Sequence, residues 1–444
     1  MSAVPTFRRG GIAGTWMIAA ALAAALALSA CDRSRDGNAA HTDPVASASA
    51  TPAAEQVARG LYLAQAADCA ACHTAPGGAP FAGGVRLESP FGTFYGTNIT
   101  PDPQHGIGGW SADTFYRALH DGVAPRGQLY PAMPYPSYRA ITRDDSDAIY
   151  AYLTTLKPAA VPNREPELAF PFNMRFAVRY WNMLFVRDTL PDASRGESAD
   201  WRRGRYLATA LGHCGECHTP RGRFGNPDRS RPLQGDSPGR IAAPDITPQA
   251  LAARGWTGAD LRSFFSDGIA PQGSAFSEMH PVVRLSTSHL NPDDVRALSV
   301  YLLGDDAPAP VVLPAPTTLP AAAGTTSADT AQLDAGRDLY RAVCAACHGA
   351  SGEGKPHVAV PLRGNATVRQ ANPHNLIVTT LDGIGALEFP HGERMQAMPG
   401  FARLLSDADV AQLTNWLRTT WGGQPGDVTA QAVAKFRLPG EGAR

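Results

Sequence analysis

The chain has 444 residues, 44% hydrophobic and 18% charged, with 39 Lys and Arg against 40 Asp and Glu, for a formal net charge of −1. That is globular composition without the basic excess of a nucleic-acid binder, and the length suits about three domains of about 100 residues better than one. Gly at 44 and Pro at 38 exceed the usual share, as long loops require, and no period-two alternation points to a sheet-dominated fold.

At the N-terminus, Arg8 and Arg9 precede an apolar Ala/Leu stretch from Ile12 to Ala30, the layout of a targeting segment. It ends Leu28-Ser29-Ala30-Cys31, which resembles a bacterial lipobox. Residues 1–30 would then be a lipoprotein signal peptide, and Cys31 the lipidated first residue of the mature chain. A secretory signal cleaved near Ala30, or an uncleaved anchor, would use the same stretch. The lipobox also accounts for the one cysteine outside the repeated motifs of the chain. Asp32 is similar to the signal that keeps lipoproteins in the inner membrane, and two or more acyl chains anchor stably. Residues 31–53, rich in Ser, Ala, Asp and Thr, are expected to form a flexible tether.

Cys69-Ala-Ala-Cys72-His73 is the first of three pentapeptides of one pattern. Cys214-Gly-Glu-Cys217-His218 and Cys344-Ala-Ala-Cys347-His348 follow at wide spacing. Cys-x-x-Cys-His is the c-type haem attachment signature. The two thiols add across the haem vinyl groups, and the histidine offers a neutral imidazole nitrogen to the iron. One such motif arises by chance or as half of a zinc site. Three of them, taking Cys69, Cys72, Cys214, Cys217, Cys344 and Cys347 out of seven cysteines, point to three covalently bound haem c.

The motifs sit in repeats of one plan. A helical stretch before each carries Gly then an aromatic: Gly60 with Tyr62, Gly204 with Tyr206, Gly336 with Tyr340. A Gly/Pro-rich loop follows each site. A second amphipathic helix then carries Tyr152-Leu153, Tyr301-Leu302 or Trp416-Leu417, behind the acidic capping turns Thr142–Asp145, Asn291–Asp294 and Ser406–Asp409. This resembles the class I cytochrome c fold, where Gly lets the two terminal helices approach closely. The expected architecture is therefore mainly α, three tandem class I cytochrome c domains joined by Pro-rich linkers. The domains are expected at 54–160, 198–305 and 329–422, with a bridging segment at 161–197, a Pro/Ala linker at 306–328 and a tail at 423–444. The first two are closer to each other than to the third. Asn98-Ile-Thr-Pro101 matches Asp245-Ile-Thr-Pro248, Trp110 matches Trp256, and Asp121-Gly-Val-Ala-Pro125 matches Asp267-Gly-Ile-Ala-Pro271.

A haem held by His on one face takes a second ligand on the other or stays open. Soft Met sulfur stabilises Fe(II) and raises the potential. Met133, Met279 and Met398 lie at similar distances beyond His73, His218 and His348, each shortly before the second helix. They are the expected partners, although a lone Met is usually core filler. Met395, His280 and His391 compete for the same role. His213 is expected on the surface or by a propionate, and Trp110 and Trp256 either pack or reach a haem propionate.

Gly96-Thr-Asn-Ile-Thr-Pro101, Gly106-Ile-Gly-Gly-Trp-Ser111 and Leu129-Tyr-Pro-Ala-Met-Pro-Tyr135 narrow the resemblance. With Phe170-Pro-Phe-Asn173 and Trp181-Asn-Met-Leu-Phe185, they resemble the triheme cytochrome c subunit of bacterial membrane-bound dehydrogenases. The resemblance implies a large partner subunit of quinoprotein, flavoprotein or molybdenum type that oxidises an alcohol, sugar acid or aldehyde. Electrons would pass to ubiquinone or a terminal oxidase, at the periplasmic face of the inner membrane, with a lipid anchor and no nucleic acid. No Rossmann fingerprint, P-loop or hydrolytic triad stands out, so substrate chemistry is expected in the partner. Two other classes stay open: a peroxidase or thiosulfate-oxidising cytochrome with one reactive haem, and a free-standing carrier. The aromatic run Phe170 to Phe185 is either a docking surface or packing between the first two domains.

Overall fold

The computed structural model describes residues 51–186, 197–237, 239–313 and 327–439. The targeting segment, Cys31 and nearly all of the tether lie outside them, as do parts of the bridge and of the Pro/Ala linker. Three pairs of helices organise the described residues, one pair around each Cys-x-x-Cys-His site; they are called regions one, two and three here. The opening helices are Pro52–Ala66, Ala199–Tyr206 (prolonged by a π turn over Leu207–Leu211) and Ser327–Val343. The closing helices are Arg143–Thr154, Pro292–Leu303 and Asp407–Leu417.

Small polar residues start these helices where free N–H groups need acceptors. The side chains of Thr51, Ser198, Thr142, Asn291 and Ser406 each accept from the backbone N–H three residues on. Within each pair the helices meet at the glycine. A Cβ on Gly60 would stand 1.9 Å from the Ala148 carbonyl oxygen, one on Gly204 1.9 Å from that of Ala297, and one on Gly336 2.2 Å from that of Gln412. Tyr152, Tyr301 and Trp416 lie beside the same three glycines, so the repeat of Gly with a closing-helix aromatic is a packing motif.

The aromatics of the opening helices behave differently from that expectation. Tyr62 leaves its own region and donates to Asp294 Oδ2 at 2.5 Å, on the closing helix of region two. Tyr206 returns the contact, donating to Asp145 Oδ2 at 2.6 Å on the closing helix of region one. Each carboxylate is also paired with the arginine preceding the glycine of its own region, Arg203 with Asp294 and Arg59 with Asp145. In region three the residue two after the glycine is Asp338, and Ala335 stands where the arginines stand. Its Tyr340 is fully buried, packs against Trp416 and Trp421, and donates to the Gly349 carbonyl.

The cores follow the same division. Leu63, Phe115, Ile149 and Leu153 of region one share a buried cluster with Leu207, Ala210, Leu211 and Ala297 of region two. Region three closes its own cluster from Tyr340, Ile377, Leu381, Leu413 and Trp421. The segment beyond residue 422 belongs to that core. Its short helix Ala430–Ala434 buries Val433, and the Asn415 amide exchanges two 2.9 Å hydrogen bonds with the Val428 backbone. Region three rests on region two through a small apolar cluster, Val283 with Phe389 and Met395, and through polar contacts. Arg369 donates to the carbonyls of Ala253 and Val311 at 2.7 Å, Arg240 pairs with Asp382 at 2.7 Å, and the Ala366 N–H donates to the Gln272 carbonyl at 2.7 Å.

The bridge is structured where it is described. Glu167–Leu168 adds a third strand to the hairpin Arg86–Ser89 and Gly92–Tyr95. The helix Ala177–Phe185 is held from one side: Val178 is buried, Asn182 accepts from the Tyr135 hydroxyl at 2.5 Å, and Trp181 Nε1 donates to the Phe224 carbonyl at 2.9 Å. It thereby ties region one to region two, as packing would.

Candidate functional site

Each Cys-x-x-Cys-His closes in a short helix, Cys69–His73, Gly215–His218 and Ala345–His348. Residues three apart share one helix face, so both thiols of a motif point to the same side. The histidines then meet carbonyls. His73 Nδ1 is 2.6 Å from the Thr97 oxygen, His218 Nδ1 2.7 Å from that of Pro244, and His348 Nδ1 2.9 Å from that of Val360. A carbonyl only accepts, so Nδ1 carries the proton and donates it. Nε2 is left with its lone pair, the state in which imidazole binds a metal. Burial pulls all three imidazoles below the ordinary histidine range, which keeps that neutral form.

The three acceptor carbonyls were not singled out from the sequence, although two left a trace there. In region one Asn98 Oδ1 accepts from the N–H and hydroxyl of Thr100 at 2.9 and 2.7 Å. In region two Asp245 Oδ1 accepts from the same groups of Thr247 at 2.8 and 2.7 Å. This Asx turn fixes the loop whose preceding carbonyl faces the histidine, and it is why Asn98-Ile-Thr-Pro and Asp245-Ile-Thr-Pro recur. Region three reaches the same end with Val360 before Pro361, a signal too short to read.

Burial favours the protonated form of Cys69, Cys72, Cys214 and Cys344. Burial pushes Cys69 and Cys214 up to about 12 and Cys344 up to about 11. Burial, with Asp68 and the neighbouring Cys217 and Glu278, pushes Cys72 up to about 11. Among the described residues no group of three or more His, Cys, Asp and Glu is placed to hold a metal ion. Paired thiols, a His with Nε2 free and an apolar wall fit a covalent haem.

The methionines fall on the matching walls. Met133 packs against the buried cluster that also receives Cys69, Met279 against the one that receives Cys214, and Met398 against the one that receives Cys344. Backbone bonds between Met398 and Ile384, at 2.8 and 2.9 Å, fix the third loop. The competitors are turned to other work. His280 Nε2 is 2.8 Å from the Glu388 carbonyl, and its ring lies edge-on to Phe389. His391 is exposed, 3.6 Å from Asp267. Met395 sits in a strand opposite Leu387 and packs with Val283 and Phe389, where regions two and three meet.

Packing places His213 and the two tryptophans. His213 is not on the outer surface: its ring packs edge-on against Tyr138 at 5.5 Å, between regions one and two, and burial lowers its basicity. Trp256 is buried edge-on against Phe264, and Trp110 packs on the core of region one, its carbonyl accepting from the Tyr150 hydroxyl at 2.5 Å. The first two attachment sites are neighbours, since the Ser137 hydroxyl, just beyond Met133, donates to Glu216 between Cys214 and Cys217 at 2.6 Å.

Residues 333–421 match the Cytochrome c family. Over 401 residues the chain is 36% identical to the cytochrome c subunit of the quinone alcohol dehydrogenase of Gluconobacter oxydans, covering 86% of this chain and 82% of that one. The fructose dehydrogenase cytochrome subunit of Gluconobacter japonicus is 34% identical over 419 residues, 90% of this chain and 86% of the relative. The gluconate 2-dehydrogenase cytochrome c subunit of Pantoea cypripedii is 37% identical over 406 residues, 86% and 89% respectively.

Proposed function

Since the chain belongs to the family of dehydrogenase cytochrome c subunits, we propose that it is the triheme electron-transfer subunit of a membrane-bound periplasmic dehydrogenase. It carries electrons from an alcohol-, sugar acid- or aldehyde-oxidising partner to ubiquinone or a terminal oxidase. Class I cytochrome c domains form regions one, two and three. The observation that carries this reading is the threefold recurrence of one donor set: a pair of thiols three residues apart and a histidine whose Nδ1 proton is already given to a backbone carbonyl.

A haem c with imidazole and thioether ligands supplies one-electron chemistry at a potential raised by the soft sulfur. The chain's own residues supply the rest. Cys69 with Cys72, Cys214 with Cys217, and Cys344 with Cys347 fix the ring covalently. His73, His218 and His348 present Nε2, held in orientation by Thr97, Pro244 and Val360. Met133, Met279 and Met398, packed on the same clusters as Cys69, Cys214 and Cys344, would supply the soft sulfur. Substrate specificity resides in the partner subunit.

Haem quantification after denaturation in pyridine tests the count: three haems per chain are expected, and two or one would refute it. The spectrum of the reduced protein under carbon monoxide tests the ligands. Little change is expected; avid binding at one haem would instead assign a reactive site of the peroxidase type. Cys31, proposed as the lipid anchor, is tested by mass spectrometry of the mature N-terminus. An unacylated mature chain that stays in solution without detergent would refute the anchor.

A further inference from the structure

The helix Ala177–Phe185 is fastened on one side and bare on the other. Phe176, Tyr180, Met183 and Leu184 recur at helical spacing along one face and are 67, 62, 73 and 65% exposed. Phe170, 78% exposed, extends the face before the helix, and Phe224 joins it from the loop that receives Trp181. Six of the thirteen exposed large hydrophobic residues described lie between 170 and 184. Such a concentration marks a contact surface, since scattered apolar residues are normal and a contiguous patch is not.

Charge shows what covers it. The chain as a whole is balanced, yet residues 169–186 carry Arg175 and Arg179 and no carboxylate. The adjoining loop 221–231 carries four arginines and one aspartate. Glu165, Glu216 and Asp228 pair with Arg175, Arg221 and Arg231. Arg179 and Arg223 stand exposed beside Tyr180 and Phe224. Phe176, Tyr180 and Met183 are exposed along the helix, and Leu184 continues the face to the edge of a cavity. The cavity beside them, about 280 Å³ between Leu184, Phe185, Arg221 and Arg229, is basic. An exposed aromatic and aliphatic face rimmed by arginine is the design of a helix lying in a membrane interface, where rings enter the headgroup layer and guanidinium groups meet lipid phosphates. Among the described residues no helix is long and apolar enough to cross a membrane, so a bilayer contact through this helix would be peripheral.

We propose that the outer face of Ala177–Phe185, with Phe170, Phe176 and Phe224, rests on an anionic phospholipid surface. It fixes the orientation of regions one and two at the membrane independently of any lipid at Cys31.

The test uses haem-loaded protein exported from a signal that leaves no lipidated cysteine, since the described fold begins beyond the tether. Binding is read by haem absorbance after sedimentation with vesicles of phosphatidylethanolamine and phosphatidylglycerol. The wild type is expected to bind these vesicles, and phosphatidylcholine vesicles much less. F176S/M183S/L184S is expected to bind about tenfold more weakly or worse, and R179S/R223S to lose the salt-sensitive part of the binding. All three residues of the triple variant are exposed, so an unchanged haem spectrum and melting profile will show the fold intact. Wild-type protein that ignores vesicles, or a triple variant that binds like wild type, would overturn the proposal. So would a triple variant that keeps vesicle binding and loses only its dehydrogenase partner, which would assign the face to protein. None of these outcomes depends on the electron-transfer assignment, which the haem count tests separately.

Discussion

Regions one and two exchange reciprocal contacts between their helix pairs, whereas region three, built on the same helix crossing, stands outside that exchange. What separates them is not the crossing. Gly60, Gly204 and Gly336 make it alike in all three. The difference lies two residues further along each opening helix. Tyr62 and Tyr206 turn outward into the other region's closing helix, and the arginines before the glycines hold the receiving carboxylates. Region three has Asp338 and Ala335 at those positions, and its capping Asp409 is satisfied by Ser406 at home. One fold unit thus becomes a fixed partner or an appended one by changing residues that its own core does not need.

The comparison breaks hardest at the crossing. Gly60→Val is expected to cost more than about 4 kcal/mol, because its Cβ would meet a backbone carbonyl that has nowhere to move. Haem loading should fail in regions one and two together, while Gly336→Val should spare them; region-resolved haem mapping after proteolysis checks this. Asp294→Ala removes a buried carboxylate that Arg203 and Tyr62 both address, and about 3–5 kcal/mol is expected to be lost in denaturant titration. Tyr62→Phe strips one hydrogen bond from the same group at about 1–3 kcal/mol, and should leave the melting of region three unmoved. The smallest structural effect, about 1 kcal/mol, is expected for Ser406→Ala, confined to region three.

Acid should separate the two kinds of region as well. Burial works to raise the Asp294 carboxyl, but hydrogen bonds from Arg203 and Tyr62 outweigh it and hold the group below the ordinary aspartate range. The group therefore contributes stability that is complete above the ordinary value near 4 and fades as pH falls through the lower folded one. Thermal unfolding followed from pH 7 down to 3 should show wild type losing its advantage over Asp294→Asn only in that acid window.

The helical repeat was legible because glycine, aromatic and capping residues recur in register, and local sequence dictates each of them. The Cys-x-x-Cys-His motifs were legible for the same reason. The carbonyls of Thr97, Pro244 and Val360 were not, since a backbone acceptor has no residue type to betray it. Tyr62 and Tyr206 were seen but read as packing. Their partners lie in another region, and a contact between distant segments leaves no spacing in the chain. His213 misled for a related reason: a polar residue next to a motif looks exposed until a neighbouring region covers it. The Phe170 to Phe185 run admitted two readings; its helix packs inward through Val178, Trp181 and Asn182, and Phe176, Tyr180, Met183 and Leu184 stay exposed on the other side.

The acceptor for Tyr62 lies 232 residues downstream, at the far end of region two. During synthesis, the Tyr62 contact of region one therefore cannot form until nearly the whole of region two has been made. On the proposed triheme reading, the first two thiol pairs would share one closing step and the third would close by itself. Maturation should then run in two beats, one joint and one solitary, and pulse-labelled intermediates should carry haem at the first two sites before those sites become resistant to protease.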